Sequence, residues 1–196
     1  TKNLGALGEG GLVTTSDAAL AAKIRMLRVH GAKQKYFHEM IGGNFRLHEL
    51  QAAFLRVKLK HLDSALDKRR ANAMKLMTEL QEKWSATMPL ESCICQGQGT
   101  SADQKPGTIL LPFSCHSGQE EHTWNQFVIR VTGKGKRDAL REKLSTEGIQ
   151  TEIYYPRAMH EQECFLSQES KFLTATLLSQ ETLALPLSGI QYSDAQ

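Results

Sequence analysis

The clearest pattern in the chain is a stripe of apolar residues on one helical face: Leu47, Leu50, Phe54, Val57, then His61/Leu62 and Ala65/Leu66. Helix-forming composition continues to about Trp84 without a proline, which predicts one long helix over 47–84 bridging two domains. Upstream, Leu12-Val13-Thr14-Thr15 is short, apolar and β-branched and predicts a buried strand. A helix capped by Ser16 or Asp17 should follow and run to about Val29, with His30-Gly31 closing it. Residues 31–43 are polar and end in glycine, so they predict a loop. Residues 85–108 change to Ser, Gly, Gln, Thr and two prolines, the composition of a linker or insertion. Beyond it, Thr108–Phe113 and Trp124–Thr132 predict strands, Gly133–Gly135 a turn, and Arg137–Glu147 a helix closed by Gly148. Ile149–Tyr155 predicts a strand halted by Pro156, and Ser170–Leu183 a last helix. This alternation predicts a small α/β domain over 109–196.

Composition alters this picture little. The chain has 196 residues, 40% hydrophobic and 23% charged, in the range of a soluble globular protein. No segment approaches the roughly 20 apolar residues that span a bilayer. The net charge of +3 is unevenly spread: residues 1–87 carry 15 Lys and Arg against 8 Asp and Glu, and the remainder is acidic. A basic first half suits anionic ligands such as phosphates, or a solvated helix face. Arg56, Lys58, Lys60, Lys68, Arg69 and Arg70 would also suit a basic helical module for nucleic acid. Asp63 and Asp67 interrupt that run and no aromatic platform accompanies it, so nucleic acid is not the expected partner. Cys93, Cys95, Cys115 and Cys164, even joined by His116 and His122, match no paired zinc-ligand spacing, so no metal is expected and the cysteines read as thiols of a reducing cytoplasm.

Candidate chemistry gathers at the start of the chain. Gly5, Gly8, Gly10 and Gly11 suggest a phosphate cradle, but the Gly-Lys-Ser/Thr ending is missing. The dinucleotide fingerprint also fails, because these glycines precede a strand signal instead of following one. A tight turn is the plainer reading. Lys2 beside them is compatible with a lysine that forms a Schiff base, since glycines let backbone approach a flat ring.

Five ordered segments then point one way. Thr1-Lys2-Asn3-Leu4-Gly5-Ala6-Leu7-Gly8-Glu9-Gly10-Gly11-Leu12-Val13-Thr14 resembles the cofactor-lysine segment of the DegT/DnrJ/EryC1/StrS family. Leu27-Arg28-Val29-His30-Gly31 resembles the helix end that follows it, and Gly42 to Ala53, with Asn44-Phe45-Arg46, the family's Asn-x-Arg segment and the helix after it. Gly148 to Pro156, with His160, Gln162, Cys164 and Phe165, resembles the substrate-side strand and loop, and Leu183-Ala184-Leu185-Pro186-Leu187 the closing segment. The sequence departs from the family at Ala158-Met159, where Pro-Leu is more usual.

The resemblance implies pyridoxal 5'-phosphate-dependent aminotransferases that act on nucleotide-linked keto-sugars. It implies the C-terminal part of the fold-type I, aspartate aminotransferase-like transferase fold: the end of the large domain over 1–46, a bridging helix over 47–84, the linker 85–108 and an incomplete small domain over 109–196. The family's pyridine-nitrogen aspartate, ring-stacking residue and most phosphate ligands would lie upstream, so the chain by itself is expected to be inactive. Lys2 is implied as the covalent partner of the cofactor and then the base that moves its proton. Asn44 is implied to reach across a homodimer interface to the other subunit's cofactor phosphate, with a helix N-cap as the alternative reading. Arg46 would bind phosphate or pair with an acid at the interface. Tyr155 and His160 would sit near the sugar nucleotide; a half-buried strand aromatic and a loop-surface histidine are the plainer readings. Glutamate is the implied amino donor, and the wording of the motifs is nearer to members acting at the sugar's 3-position than at the 4-position. Relatives that dehydrate the same sugars carry histidine in place of the cofactor lysine, so Lys2 argues against that chemistry.

Overall fold

The computed structural model describes residues 2–87, 104–112, 121–165 and 172–187. The chain divides into two compact units, Thr1–Ser64 and Ala65–Gln196. The boundary falls within a helix, where the sequence had suggested a separate bridging element.

In the first unit, Asp17 caps helix α1 (Ala18–Leu27) by accepting the Ala19 and Leu20 N–H groups at 2.8 and 3.1 Å. The expected strand at 12–15 is absent. Leu12 and Val13 are 88% and 67% exposed, and no neighbouring strand pairs with them among the described residues. A strand exists only through its ladder, and propensity alone does not make one. The helix closes at Leu27, two residues earlier than expected, with His30 and Gly31 at φ of 64° and 71°. Residues 31–43, expected as a loop, hold a small hairpin of β1 (Ala32–Gln34) and β2 (Phe37–His38). Tyr36 supplies its left-handed turn at φ 73° without a glycine. The returning chain crosses the end of α1 closely. A Cβ on Gly42 would lie 2.4 Å from Gly31 N and 2.5 Å from Leu27 O, so only glycine fits.

The helix expected over 47–84 is two helices, α2 (Glu49–Leu59) and α3 (Leu62–Trp84). At the break the His61 N–H bonds Lys58 O at 2.9 Å, a three-residue reach, and the Ser64 hydroxyl donates to His61 O at 3.1 Å. These tighter local bonds interrupt the four-residue ladder where no proline or glycine signals it. Along α2 the expected apolar stripe of Leu50, Phe54 and Val57 stays exposed.

The second unit contains the hydrophobic core. Ala73, Leu76, Met77 and Leu80 of α3 are buried at helical spacing. They share a cluster with Phe127, Ile129 and Val131 of β4 (Phe127–Val131), and with Leu183, Trp124, Leu144 and Leu111. Alternate residues of β4 are fully buried, as expected for a strand with one core face. Each large side chain so covered contributes about 1.5–3 kcal/mol. The antiparallel sheet runs β3 (Ile109–Leu110), β4, β5 (Thr182–Leu185). Helix α4 (Lys136–Thr146) follows the Gly133–Gly135 turn and is closed by Gly148 at φ 77°, as the sequence indicated. The strand expected at 149–155 reduces to one bridge, Glu152 with Ala184. The last helix, α5 (Leu173–Glu181), is shorter than expected because Thr182 and Leu183 pair with β4. Arg130 and the buried Glu181 form an ion pair at 2.6 Å beneath this end of the sheet, and Glu181 also accepts the Gly133 N–H at 2.7 Å. Among the described residues no helix is long and apolar enough to cross a membrane.

Candidate active site

Lys2 is exposed in the first unit, at the start of a glycine-rich segment fixed by two long-range hydrogen bonds. Lys58 Nζ donates to Gly5 O at 2.9 Å, and Gln51 Nε2 donates to Glu9 O at 3.2 Å. Neither residue was singled out from sequence for this segment, because the pairs are 53 and 42 positions apart. No local signal points to them.

Asn44 lies where the chain returns past α1, bridged to Val29. It does not cap a helix; His48 caps α2 by accepting the Leu50 N–H at 3.3 Å. The backbone holds Asn44 through His30 N to Gly43 O at 2.9 Å and Phe45 N to Arg28 O at 3.0 Å. Arg46 Nε donates to Asn44 Oδ1 at 2.9 Å. Guanidinium can only donate, so the amide must present its oxygen to Arg46. Its NH2 group is then left exposed and unpaired among the described residues, a neutral donor for an anionic oxygen. Arg46 has no carboxylate partner among the described residues.

Tyr155 and His160 belong to the second unit. Tyr155 is 71% exposed outside any strand, so the half-buried strand reading does not hold. With Tyr154, Arg157, Gln126, Glu152 and Gln162 it borders a largely apolar cavity of about 520 Å³. His160 sits on a short 3₁₀ turn (Met159–Glu161) with its side chain only 14% exposed, so it is not a loop-surface histidine either. Its ring meets Phe172 edge-on at 5.2 Å, and Nε2 lies 3.4 Å from Thr176 Oγ1 and 4.0 Å from Glu161 Oε1. The Thr176 hydroxyl, donating to Glu161 at 2.7 Å, holds that carboxyl below its usual range. The Ala158 N–H and the charges of His160 and Arg157 act in the same direction, against partial desolvation. Of the cysteines, Cys164 is an exposed thiol; Cys93, Cys95, Cys115 and His116 lie outside the described residues. His122 accepts the Trp124 N–H at 2.9 Å, and no metal-binding cluster occurs among the described residues.

The model of the DegT/DnrJ/EryC1/StrS aminotransferase family matches residues 1–92 and 103–194. The chain belongs to this family. Among similar DegT/DnrJ/EryC1/StrS proteins, the erythromycin biosynthesis sensory transduction protein EryC1 of Saccharopolyspora erythraea is 39% identical over 95% of the chain and 44% of its own length. A UDP-N-acetyl-3-dehydro-alpha-D-glucosamine 3-aminotransferase of Acidithiobacillus ferrooxidans is 35% identical over 95% of the chain and 43% of its own length. The solved structure of Streptomyces venezuelae DesV, in complex with a ketimine intermediate, superposes with a TM-score of 0.75 at 34% identity, over 94% of the chain and 43% of DesV. The chain thus spans less than half the length of the relatives it matches, and over that span it has their α/β fold.

Proposed function

We propose that the whole protein is a pyridoxal phosphate-dependent aminotransferase that carries an amino group from glutamate to the 3-keto position of a nucleotide-linked sugar. One observation carries the reading: an exposed lysine heads a backbone-clamped glycine segment, in the same unit as an amide donor turned outward by its own arginine. The donor set suits the cofactor, an amine for its aldehyde and a neutral N–H with a nearby cation for its phosphate. Bound there, pyridoxal phosphate would supply an electron sink for the pair left when an α-proton departs. Lys2 Nζ is assigned the covalent hold on the cofactor and then the transfer of that proton. Asn44 is assigned to the phosphate of a second copy's cofactor, with Arg46 fixing the amide and adding positive charge. In the second unit, Tyr155 is assigned a flat face and hydroxyl for the nucleotide sugar. His160 would donate from Nδ1 to the diphosphate, since Nε2 faces Thr176 and Glu161. The choice of the 3-position is supported by the Acidithiobacillus ferrooxidans relative, whose name specifies a 3-aminotransferase.

Borohydride reduction of the protein in lysate from its source cells, followed by peptide mass analysis, tests the assignment. Cofactor mass on the peptide containing Lys2 is expected; an unlabelled Lys2 in active protein overturns it. Mixing the Lys2→Ala and Asn44→Ala variants tests the action across subunits. Two-fold symmetry predicts recovery of about a quarter of wild-type turnover, because one site in each mixed dimer keeps both residues. No recovery would place Asn44 in the site of its own subunit.

A further inference from the structure

We infer that Gln51 and Lys58 are positioning residues for Lys2: together they clamp the backbone of the glycine segment and so set the direction from which the amine is presented. The inference rests on the assignment of Lys2 to the cofactor and adds the part of the fold that aims it. Gln51 and Lys58 are seven residues apart on α2, two helical turns, so they share a face with about 10.5 Å between them along the axis. Their acceptors, Glu9 O and Gly5 O, are four residues apart, and four residues reach at most about 14 Å. That reach is enough for the helix to hold the segment at two points, Gly5 and Glu9, in the antiparallel sense.

The two bonds differ in kind. Lys58 Nζ is partly buried, lies 5.5 Å from the Phe54 ring centre, and has no carboxylate within ion-pair distance among the described residues. Its ammonium is committed to a backbone carbonyl, a charge-assisted bond of the stronger class. Lys58 is therefore engaged as a structural donor, which separates it from Lys2, one of several exposed lysines in the same unit. Gln51 spends its amide N–H on Glu9, while its Oε1 is buried without a partner, a cost accepted to keep that contact. Gly5 adopts φ 63°, which turns its carbonyl toward the helix in a conformation that a β-carbon would oppose. Both clamps act on main-chain atoms, so they specify the path of the segment and leave its side chains to chemistry.

The test compares hydrogen–deuterium exchange in the complete cofactor-loaded protein and its Lys58→Met and Lys58→Arg variants. Methionine keeps an apolar stem but loses the donor. Exchange in the peptide covering residues 2–11 is expected to rise about tenfold in Lys58→Met and to return toward wild type in Lys58→Arg, with peptide 136–147 unchanged. The kcat of Lys58→Met should fall with little change in KM for either substrate. Unchanged exchange in residues 2–11, or a rise shared equally by peptide 136–147, overturns the clamp. Borohydride labelling keeps the two ideas apart. A labelled Lys2 with unchanged exchange defeats the clamp alone. An unlabelled wild-type Lys2 with the expected exchange pattern defeats the cofactor assignment, and with it the claim that the clamp aims a catalytic amine.

Discussion

At the scale of single residues, the side chains that matter are those whose hydrogen bonds leave one choice of orientation. Asn44 is the clearest: Arg46 takes its oxygen, so the NH2 faces outward. Asn44→Asp would keep the Arg46 bond and replace the outward donor by an oxygen that repels phosphate. The expected result is at least about a tenfold weaker hold on pyridoxal phosphate, read by cofactor titration of the apoprotein. Glu161 makes a different prediction. Its carboxyl is held below the ordinary range mainly by the Thr176 hydroxyl. A group with a lowered folded pKa contributes stability above its unfolded pKa and loses it as pH falls through the folded value. Glu161→Gln should therefore lower the melting temperature at neutral pH, and the gap should close in acid. A gap that widens on acidification would refute the network around His160 and Thr176.

At the scale of elements, what was legible in the sequence was what a short window decides. A cap at Ser16 or Asp17 was readable, with Asp17 the one realised, as were Gly148 as a helix end and the β4 segment as a strand, because each depends on its nearest neighbours. The strand expected at Leu12–Thr15 failed because pairing needs a neighbour that propensity cannot supply. The hairpin over 32–38 was hidden because its tip carries Lys35 and Tyr36 in place of Asn-Gly, and the break at Lys60–His61 because no proline or glycine marks it. In the candidate site, Lys2 and Asn44 could be named from ordered motifs. The orientation of Asn44 and the support from α2 depend on folding and could not be read. Two substitutions test the elements themselves. Gly42→Ala would drive a Cβ into the backbone of Gly31 and Leu27, and should cost at least about 2 kcal/mol in thermal or urea unfolding. Arg130→Met would strand the buried Glu181 with one backbone N–H as partner and should cost about 3–5 kcal/mol, most of it recovered by adding Glu181→Gln.

At the scale of the whole molecule, the buried apolar side chains among the described residues all lie at or beyond Ala73. The two units should therefore differ in autonomy. A polypeptide of residues 65–196 is expected to melt cooperatively when followed by circular dichroism, whereas residues 1–64 alone should lose helix signal gradually, without a transition. A sharp transition in the shorter piece would show that its exposed apolar residues do not depend on further chain for cover. The same contrast bears on the lysine segment: among the described residues no buried apolar cluster lies in its unit, and the α2 clamp is what fixes it there. That clamp also limits how the gene can change. Residues between Gln51 and Lys58 are open to replacement, because the helix only has to carry two donors on one face. A one-residue insertion or deletion there is another matter: it would turn Lys58 by about 100° and detach one end of the segment, so lineages of this protein should vary in spelling across that stretch and hold its length constant.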